Sequence, residues 1–301
     1  MRPTDALRAF DAYMAVRDRL PSARFPARFA TAPSLAEIAA PFDLVLLDAY
    51  GVLNIGETAI PGAAERVAAL RQDGKKVMVV SNSAGYPKRL MMRRYATLGF
   101  DFTDSEVATS REALLRQLAG QPDCRWGLML NPRHGLEEFE EIETSFLADD
   151  RTDYDRVDGF LLIGSEGWTE SRQAMLQASL SAKPRPVLVG NPDIVAPRED
   201  GLSLEPGHFA HRLANATGIA PVFLGKPFDA IFDIALSRLS PRPEAERVLM
   251  VGDTLHTDIL GGRHLGFATA LVTDFGSLAG TDAAEAISRS GIVPDFVINR
   301  I

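Results

Sequence analysis

Apolar residues in this chain occur in short runs of strand length, and amphipathic stretches of helical length lie between them. This alternation predicts an α/β fold, with a doubly wound parallel sheet forming a Rossmann-like core. The clearest predicted strands are rich in Val, Leu and Ile. They are Leu44 to Leu47, Val77 to Val80, Phe160 to Ile163, Val187 to Val189, Val248 to Val251 and Ala270 to Val272.

The predicted helices lie between these strands, and residues 62–71 show the signals well. Ala, Val and Leu recur there at helical spacing after Pro61, and Asp73-Gly74 ends the pattern. The other predicted helices are Lys88 to Leu98, Glu112 to Leu118, Ser171 to Leu180, His208 to Ala216, Phe228 to Leu239 and Thr281 to Ser288. Residues 1–40 are expected to form an N-terminal extension on the domain surface, with one helix and no site chemistry.

Three of the predicted strands end in side chains that can bind phosphate or a divalent metal. These side chains are Asp48 after the first strand, Ser81 and Asn82 after the second, and Asp253 after strand 248–251, with Asp258 five residues later. Lys226 precedes a predicted helix and supplies a cation to offset the acids. A single acid of this kind is more typical of a turn or a helix cap. Because open parallel sheets bind ligands at the carboxyl ends of their strands, the combination predicts a site at one sheet edge.

These segments resemble the four motifs of the haloacid dehalogenase superfamily. The similarity is to its class IIA branch of p-nitrophenyl phosphatase-like and nucleotide or sugar phosphatase-like proteins, and it covers nearly the whole chain from about Phe42 onward. It is most specific in residues 48–53, 225–227 and 252–258. Gly190-Asn191-Pro192-Asp193 also resembles a segment of the cap domain of that branch.

The resemblance implies an Mg²⁺-dependent phosphatase for a small phosphate monoester. Asp48 would be the nucleophile and would form an aspartyl-phosphate. The metal would be bound by the carboxylate of Asp48, the backbone carbonyl of Tyr50 and Asp253, with Asp258 ligating directly or through water. The groups that would bind phosphate oxygens are Lys226, the Ser81 hydroxyl and backbone N–H groups near Gly51 and Asn82.

Tyr50 departs from the pattern of the family. Phosphatases of this family usually place a second Asp two residues after the nucleophile, where it protonates the leaving oxygen and later activates water. Positioned acid–base catalysis contributes about 10² to 10⁴ in rate. A phenol has an unperturbed pKa near 10 and is a poor base at neutral pH. We therefore expect slow turnover and a long-lived aspartyl-phosphate.

The spacing of the motifs predicts an inserted cap domain. Only 33 positions separate Asp48 from Ser81, which is enough for one helix and one strand. The 145 positions from Ser81 to Lys226 leave on the order of a hundred residues for a further domain of typical size. We expect residues 1–110 and 208–301 to form the catalytic core and residues 111–207 to form an α/β cap.

Two other functions stay open at this stage. Asp-Ala-Tyr-Gly at 48–51 also resembles the nucleophile motif of the metal-independent 2-haloacid dehalogenases. Without a metal, however, Asp253 and Asp258 would place like charges beside Asp48, and the first interval leaves no room for a dehalogenase-type cap. The other alternative is a non-catalytic protein that binds a phosphorylated ligand, although a binder gains nothing from a nucleophile aimed at phosphorus.

Some polar residues near the motifs have a structural as well as a functional interpretation. His256 lies between Asp253 and Asp258 and is expected to be a solvated loop histidine. Residues 164–168, together with Asn191 and Asp193, lie at strand ends of the predicted cap. They either face the core site and choose the substrate, or they form turns.

Composition and charge exclude several classes of protein. A net charge of −8 argues against general nucleic-acid binding, which needs a cationic face for phosphates. A single cysteine, Cys124, excludes an intramolecular disulfide and a multi-cysteine metal site. The apolar runs are too short to span a bilayer, and the N-terminal residues are too highly charged for a secretory signal. We expect a cytoplasmic protein that acts on a small phosphorylated metabolite and does not bind a membrane. The resemblance is also compatible with a homodimer.

Overall fold

The computed structural model of the protein describes residues 3–121, 124–198 and 201–301. Its strands are β1 (Ala30–Ser34), β2 (Leu44–Leu47), β3 (Asn54–Ile55), β4 (Thr58–Ala59), β5 (Lys76–Ser81), β6 (Val107–Thr109), β7 (Trp126–Met129), β8 (Thr144–Phe146), β9 (Gly159–Leu162), β10 (Val187–Val189), β11 (Val195–Arg198), β12 (Gly201–Leu204), β13 (Val222–Phe223), β14 (Val248–Gly252), β15 (Ala268–Val272) and β16 (Phe296–Arg300). Its helices are α1 (Pro3–Met14), α2 (Ala63–Gln72), α3 (Lys88–Thr97), α4 (Ser110–Leu118), α5 (Arg151–Asp155), α6 (Glu170–Ala182), α7 (Pro206–Thr217), α8 (Asp229–Ser237), α9 (Leu260–His264) and α10 (Ala283–Ser290). Every predicted strand and helix is present, and its ends differ from the predicted ones by no more than two residues.

The main sheet is parallel and has the strand order β1-β16-β15-β14-β2-β5-β6. The interior strand β2 is buried on both faces, because successive side chains of a strand point in opposite directions and all four of its residues are buried. Val45 and Leu47 pack in one apolar cluster with helices α2 and α3, whereas Leu44 and Leu46 pack in another with α4 and α8. The sequence forms a continuous apolar run for this reason, and the predicted doubly wound α/β core is confirmed.

A second parallel sheet has the order β13-β10-β9-β7-β8. One of its faces packs on α6 and α7 through residues such as Phe160 and Leu213. The other face contributes Leu128 and Leu161 to the cluster that also contains Leu46 of the main sheet. The two sheets therefore share one apolar layer, and the second sheet is stacked on the core.

The bounds 111–207 expected for the inserted unit stay a prediction, and the packing of two segments favours other bounds. Helix α4, expected to begin the cap, packs with α8 and Val80 of the core. Helix α7 and strand β13, expected to belong to the core, complete the second sheet and its helical layer. We therefore propose an inserted unit of about residues 119–224. Motif spacing alone does not assign these segments, because their helix and strand patterns would fit either unit.

The first forty residues take more part in the fold than expected. Helix α1 packs on the core through Phe10, which joins the apolar cluster of Leu255 and Ile259. Strand β1 extends the main sheet by pairing with β16. Strand β1 was not predicted, because it is largely exposed and lacks a run of large apolar residues. Among the described residues, no helix combines the length and the apolar character that crossing a bilayer requires.

Candidate active site

The carboxyl ends of three adjacent strands place the predicted acids and hydroxyl together. Asp48 follows β2 directly, Ser81 ends β5, and Asp253 follows β14. These strands are neighbours in the order β14-β2-β5, so their ends meet at one sheet edge. Together with Lys226, these three residues line a cavity of about 390 Å³ between the core and the inserted unit. The structure thus brings the distant motifs into one site.

Lys226 is held at the centre of the acids. Its Nζ lies 2.5 Å from Asp48 Oδ1 and 2.7 Å from Asp258 Oδ1, and its side chain is 2% exposed. Burial alone would lower the pKa of Lys226, but the charges of Asp258, Asp48 and Asp193 raise it. The lysine therefore stays charged and offsets part of the negative charge of the site.

The side chain of Asn82 fixes the backbone around this lysine. Asn82 Oδ1 accepts from Lys226 N at 2.7 Å, and Asn82 Nδ2 donates to Lys226 O at 3.0 Å and to Asp193 Oδ1 at 2.8 Å. Asn82 had been predicted to offer its backbone N–H to phosphate. Its amide side chain has a further task, which is to join the lysine loop to the cap segment that carries Asp193.

Three carboxylates form a candidate metal site. One oxygen each of Asp48, Asp253 and Asp258 lies within 4.8 Å of the other two. Asp253 is oriented by Ser277 N at 2.5 Å and Thr254 Oγ1 at 3.0 Å, and Asp258 Oδ2 accepts from Thr254 N at 3.1 Å. Oriented carboxylate oxygens are the donor set that Mg²⁺ and Ca²⁺ bind, so these residues fit a hard divalent cation.

The electrostatics of these acids favour such a cation. Burial raises the pKa of Asp48 to about 6, although Lys226 partly opposes this rise. Burial, followed by the charges of Asp258 and Asp48, also raises the pKa of Asp253 well above its usual value. Lys226 alone does not balance three acids, two of them fully buried, and a divalent cation would relieve the remaining repulsion.

Gly51 has a different part from the predicted one. Its N–H, expected to bind a phosphate oxygen, donates to Asn54 O at 2.8 Å within the turn after β2. The residue has φ +82°, and a Cβ on it would lie 2.7 Å from Asp253 Cγ. The N–H of Gly51 itself is thus bonded within the turn, and phosphate binding by backbone N–H groups near Gly51 stays a prediction. The glycine is needed because the turn has a left-handed backbone conformation pressed against a carboxylate.

Gly252 gives a sharp test of the acid cluster. A Cβ on it would lie 2.1 Å from Asp258 Cγ, closer than any non-bonded contact allows. We expect Gly252→Ala to displace the Asp258 carboxylate and to weaken Mg²⁺ binding by about 10- to 100-fold, the usual effect of disturbing a group that supports a metal ligand. The measurement is a titration of Mg²⁺ by thermal shift. Gly120→Ala is the control, because the nearest atom to its Cβ is Gln117 O at 3.7 Å. Equal Mg²⁺ affinity in both variants would contradict the assignment of Asp258.

Tyr50 lines the same cavity as Asp48. The guanidinium of Arg94, on α3, lies over its ring at 4.7 Å from the centroid. Arg94 also pairs with Glu57 at 3.0 Å. The phenol thus lies at the candidate site next to the cation of Arg94, which the sequence did not single out.

His256 is not a solvated loop residue, and that expectation was wrong. It is 1% exposed and lies in a short π-helical segment, Leu255–Ile259, that also carries Asp258. Its ring stacks on Tyr13 at 5.2 Å and meets Phe10 edge-on at 5.6 Å. Burial lowers the pKa of His256 to about 3, so the imidazole is neutral. This burial could not be predicted from the local sequence, because the two covering rings come from the other end of the chain.

Several residues of the inserted unit line the cavity opposite the acids. They include Asn191, Asp193, Ser165 and Glu166, which were among the candidates at strand ends. Trp168 lies elsewhere, packed in the apolar layer under the second sheet, where its Nε1 donates to Gln173 at 3.0 Å. Burial raises the pKa of Asp193 to about 8.

Two groups of the site were missed by the sequence analysis. Arg94 is one of several basic residues on α3, and nothing in its spacing distinguishes it. Ser277 supports Asp253 through its N–H, and it lies in the loop after β15. That loop faces the same sheet edge because β15 is parallel to β14 and adjacent to it. Its place after a predicted strand was a usable signal.

Comparisons with known proteins identify the family of this chain. The family described as haloacid dehalogenase-like hydrolase matches residues 45–144, and the family described as HAD-hydrolase-like matches residues 223–301. Chronophin of Rattus norvegicus is 32% identical over 267 residues, covering 85% of each chain. The chain belongs to the haloacid dehalogenase-like hydrolases. Its resemblance to class IIA of that superfamily is confirmed.

Solved structures similar to this hydrolase cover the core and the inserted unit together. The p-nitrophenyl phosphatase from Archaeoglobus fulgidus is 26% identical with a TM-score of 0.69, covering 86% of this chain and 96% of the other. The glycerol phosphate phosphatase from Mycobacterium tuberculosis, solved in complex with magnesium, is 25% identical with a TM-score of 0.67, covering 86% and 76%. This hydrolase therefore shares its two-unit architecture with phosphatases.

Proposed function

We propose that this hydrolase is an Mg²⁺-dependent phosphatase that cleaves a small phosphate monoester through an aspartyl-phosphate on Asp48. The observation that carries the proposal is the convergence of Asp48, Lys226, Asp253 and Asp258 in one cavity. The phosphatases among its similar proteins, one of them bound to magnesium, support the same reaction class.

The residues that would hold Mg²⁺ are the carboxylates of Asp48, Asp253 and Asp258, with the backbone carbonyl of Tyr50 as a further ligand. When bound, the cation would neutralise negative charge between the nucleophile and the phosphoryl group. Lys226 would bind a phosphate oxygen beside Asp48, and the Ser81 hydroxyl would bind another. Positioning and electrostatics supply most of the acceleration in phosphoryl transfer.

The reaction would proceed in two displacements at phosphorus. In the first, an oxygen of Asp48 forms a bond to phosphorus while the ester P–O bond breaks, and the leaving alkoxide takes a proton. In the second, water attacks the aspartyl-phosphate, releases inorganic phosphate and regenerates Asp48. The phenol of Tyr50 can donate this proton and regain one from solvent, and the neutral phenol is then a poor base for the attacking water of the second step. Hydrolysis of the intermediate would therefore limit turnover.

The site geometry weighs against the two alternatives. A metal-free dehalogenase would have to keep Asp48 ionised as a nucleophile beside Asp253 and Asp258. Burial, together with the charge of Asp258, raises the pKa of Asp48 and that of Asp253, so the ionised form is disfavoured without a cation. A non-catalytic binder would not need the Asp48 carboxylate next to a lysine that also binds phosphate. The residue lining of the inserted unit, including Asn191 and Glu166, would select the alcohol part of the ester.

A single screen tests this proposal. The full-length protein is assayed for phosphate release from sugar, nucleotide, polyol and cofactor monophosphates, with Mg²⁺ and with EDTA, and chloroacetate serves as a dehalogenation substrate. We expect release of phosphate from at least one ester with Mg²⁺ and none after chelation. Halide release without metal would favour the dehalogenase, and binding of esters without turnover would favour the binder.

Three finer points stay predictions. They are the choice of Mg²⁺ over other divalent cations, a location in the cytoplasm and assembly as a homodimer. Metal titrations with Mg²⁺, Mn²⁺ and Ca²⁺ test the first, and sedimentation of the purified protein tests the last.

A further inference from the structure

The N-terminal helix presents a stripe of buried residues to the rest of the molecule. Ala6, Ala9, Phe10 and Tyr13 recur at the spacing of one helix face. Tyr13 is 4% exposed even though it lies near the start of the chain. Its surroundings connect it to both sides of the candidate active site.

The ring of Tyr13 supports the π-helical segment Leu255–Ile259, which carries Asp258. It stacks on His256 at a centroid distance of 5.2 Å and an interplanar angle of 11°. Phe10 contacts the same imidazole edge-on. His256 is two residues from Asp258, and both belong to the segment Leu255–Ile259. A change in the stacking partner would therefore act on the backbone that positions an acid of the site.

The hydroxyl of Tyr13 binds the cap side of the cavity. Tyr13 Oη accepts a hydrogen bond from Ile194 N at 3.1 Å. The residue before it, Asp193, accepts from Asn82, whose side chain also binds the backbone of Lys226. Burial, followed by the charge of Asp193, raises the pKa of Tyr13 well above its usual value, so the hydroxyl stays neutral.

Other contacts of the N-terminal segment repeat this pattern. Asp11 pairs with Arg289 of the core at 2.7 Å, and the Arg19 guanidinium donates to Asn215 of α7 in the inserted unit. Val16 packs with Tyr13 and Ile194 in a small apolar cluster. The segment thus joins the core and the inserted unit non-covalently, in addition to the two chain connections between them.

We propose that Tyr13 is a positioning residue for this site. Its ring supports the segment Leu255–Ile259, which carries Asp258. Its hydroxyl binds Ile194 N of the inserted unit, next to Asp193, which accepts a hydrogen bond from Asn82. The N-terminal helix is then part of the machinery that shapes the substrate cavity, and it does more than cover the surface. The kinetic part of this inference rests on the proposed phosphatase function, whereas the structural part does not.

Tyr13→Phe separates the hydroxyl from the ring. The variant keeps the stack on His256 and loses the acceptor for Ile194 N. The net effect of one such hydrogen bond is roughly a three- to tenfold change in an equilibrium constant. We expect the amide of Ile194 to exchange with solvent about three- to tenfold faster, and KM for the best phosphate ester to rise by the same factor. The value of kcat and the Mg²⁺ affinity should stay within about twofold.

Tyr13→Leu removes the ring as well. We expect this variant to add a loss of Mg²⁺ affinity of about tenfold, measured by thermal shift and therefore independent of turnover. The matched control is Tyr154→Phe, in which a fully buried tyrosine of the inserted unit loses a hydrogen bond from Oη to Ala148 O of 2.9 Å. It should change thermal stability as much as Tyr13→Phe does, without changing KM or the exchange of Ile194.

The outcomes separate the two proposals. If no ester is hydrolysed by the wild-type protein, the phosphatase function fails, and the exchange of Ile194 and the Mg²⁺ affinities still test Tyr13. If Tyr13→Phe leaves both KM and the Ile194 exchange rate at wild-type values, the positioning role is overturned. It is also overturned if Tyr154→Phe changes KM as much as Tyr13→Phe does, because the effect would then reflect stability alone.

Discussion

Asp48→Asn is expected to abolish phosphate release, with a loss of roughly 10⁴-fold or more in kcat. The amide is nearly isosteric with the carboxylate, but it is a far weaker nucleophile and does not form an acyl-phosphate. The change also removes a negative oxygen from the candidate metal site and leaves Lys226 with one acid partner fewer. The measurement is steady-state release of inorganic phosphate, together with the mass of the intact protein after acid quenching.

The control for this variant is Asp43→Asn. Asp43 lies just before β2 and forms an exposed ion pair with Arg247 at 2.7 Å, so it undergoes the same chemical change without touching the cavity. Exposed pairs of this kind contribute at most about 1 kcal/mol, and activity should stay within about twofold. Appreciable turnover by Asp48→Asn, or a phosphoryl group still attached to it, would mean that another residue is the nucleophile.

The site could be predicted from sequence because its parts follow strands with a strong pattern. Strand β2 is fully apolar, and a charged residue directly after such a strand has to lie at its carboxyl end. The same reasoning places Ser81 and Asp253, and the parallel order of the strands brings them together. Family resemblance then supplied chemical roles that spacing alone does not give.

The parts that could not be predicted depend on contacts between distant segments. His256 has the local sequence of an exposed loop, and its burial comes from Phe10 and Tyr13 more than 240 positions away. The edges of the inserted unit are hard to predict for a related reason. A helix such as α7 has one apolar face, and the sequence does not say which of two sheets will cover it.

The unit edges matter for how the cavity is built. Helix α7 and strand β13 lead from the second sheet directly into the loop of Lys226, which follows β13 by three residues. The backbone of that loop is also bound to Asn82 and, through it, to Asp193. Movement of the inserted unit would therefore be transmitted to the lysine that balances the acids. The position of the inserted unit and the charge balance at Asp48 and Asp258 are therefore coupled through the loop of Lys226.

Tyr50→Asp is expected to raise the rate of turnover by about 10²-fold, a gain of function. The substitution supplies the proton-transfer group that phosphatases of this family usually have at this position, and such a group contributes about 10² to 10⁴ in rate. The lower end is expected here because Arg94, which lies 4.7 Å from the centre of the Tyr50 ring, would hold part of the new carboxylate. The measurement is kcat for the best ester, with single-turnover kinetics to separate formation and hydrolysis of the intermediate.

The matched control is Tyr50→Asn, which has the size of Asp but does not exchange a proton near neutral pH. If hydrolysis of the aspartyl-phosphate limits the wild-type protein, intact mass after quenching should show one added phosphoryl group in the wild type and in Tyr50→Asn. Tyr50→Asp should show little of it, because water attack becomes fast relative to phosphoryl transfer. The expectation is contradicted if Tyr50→Asp and Tyr50→Asn have equal kcat and no form of the protein accumulates the aspartyl-phosphate. Proton transfer would then not limit turnover, and the phenol of Tyr50 would not slow this enzyme.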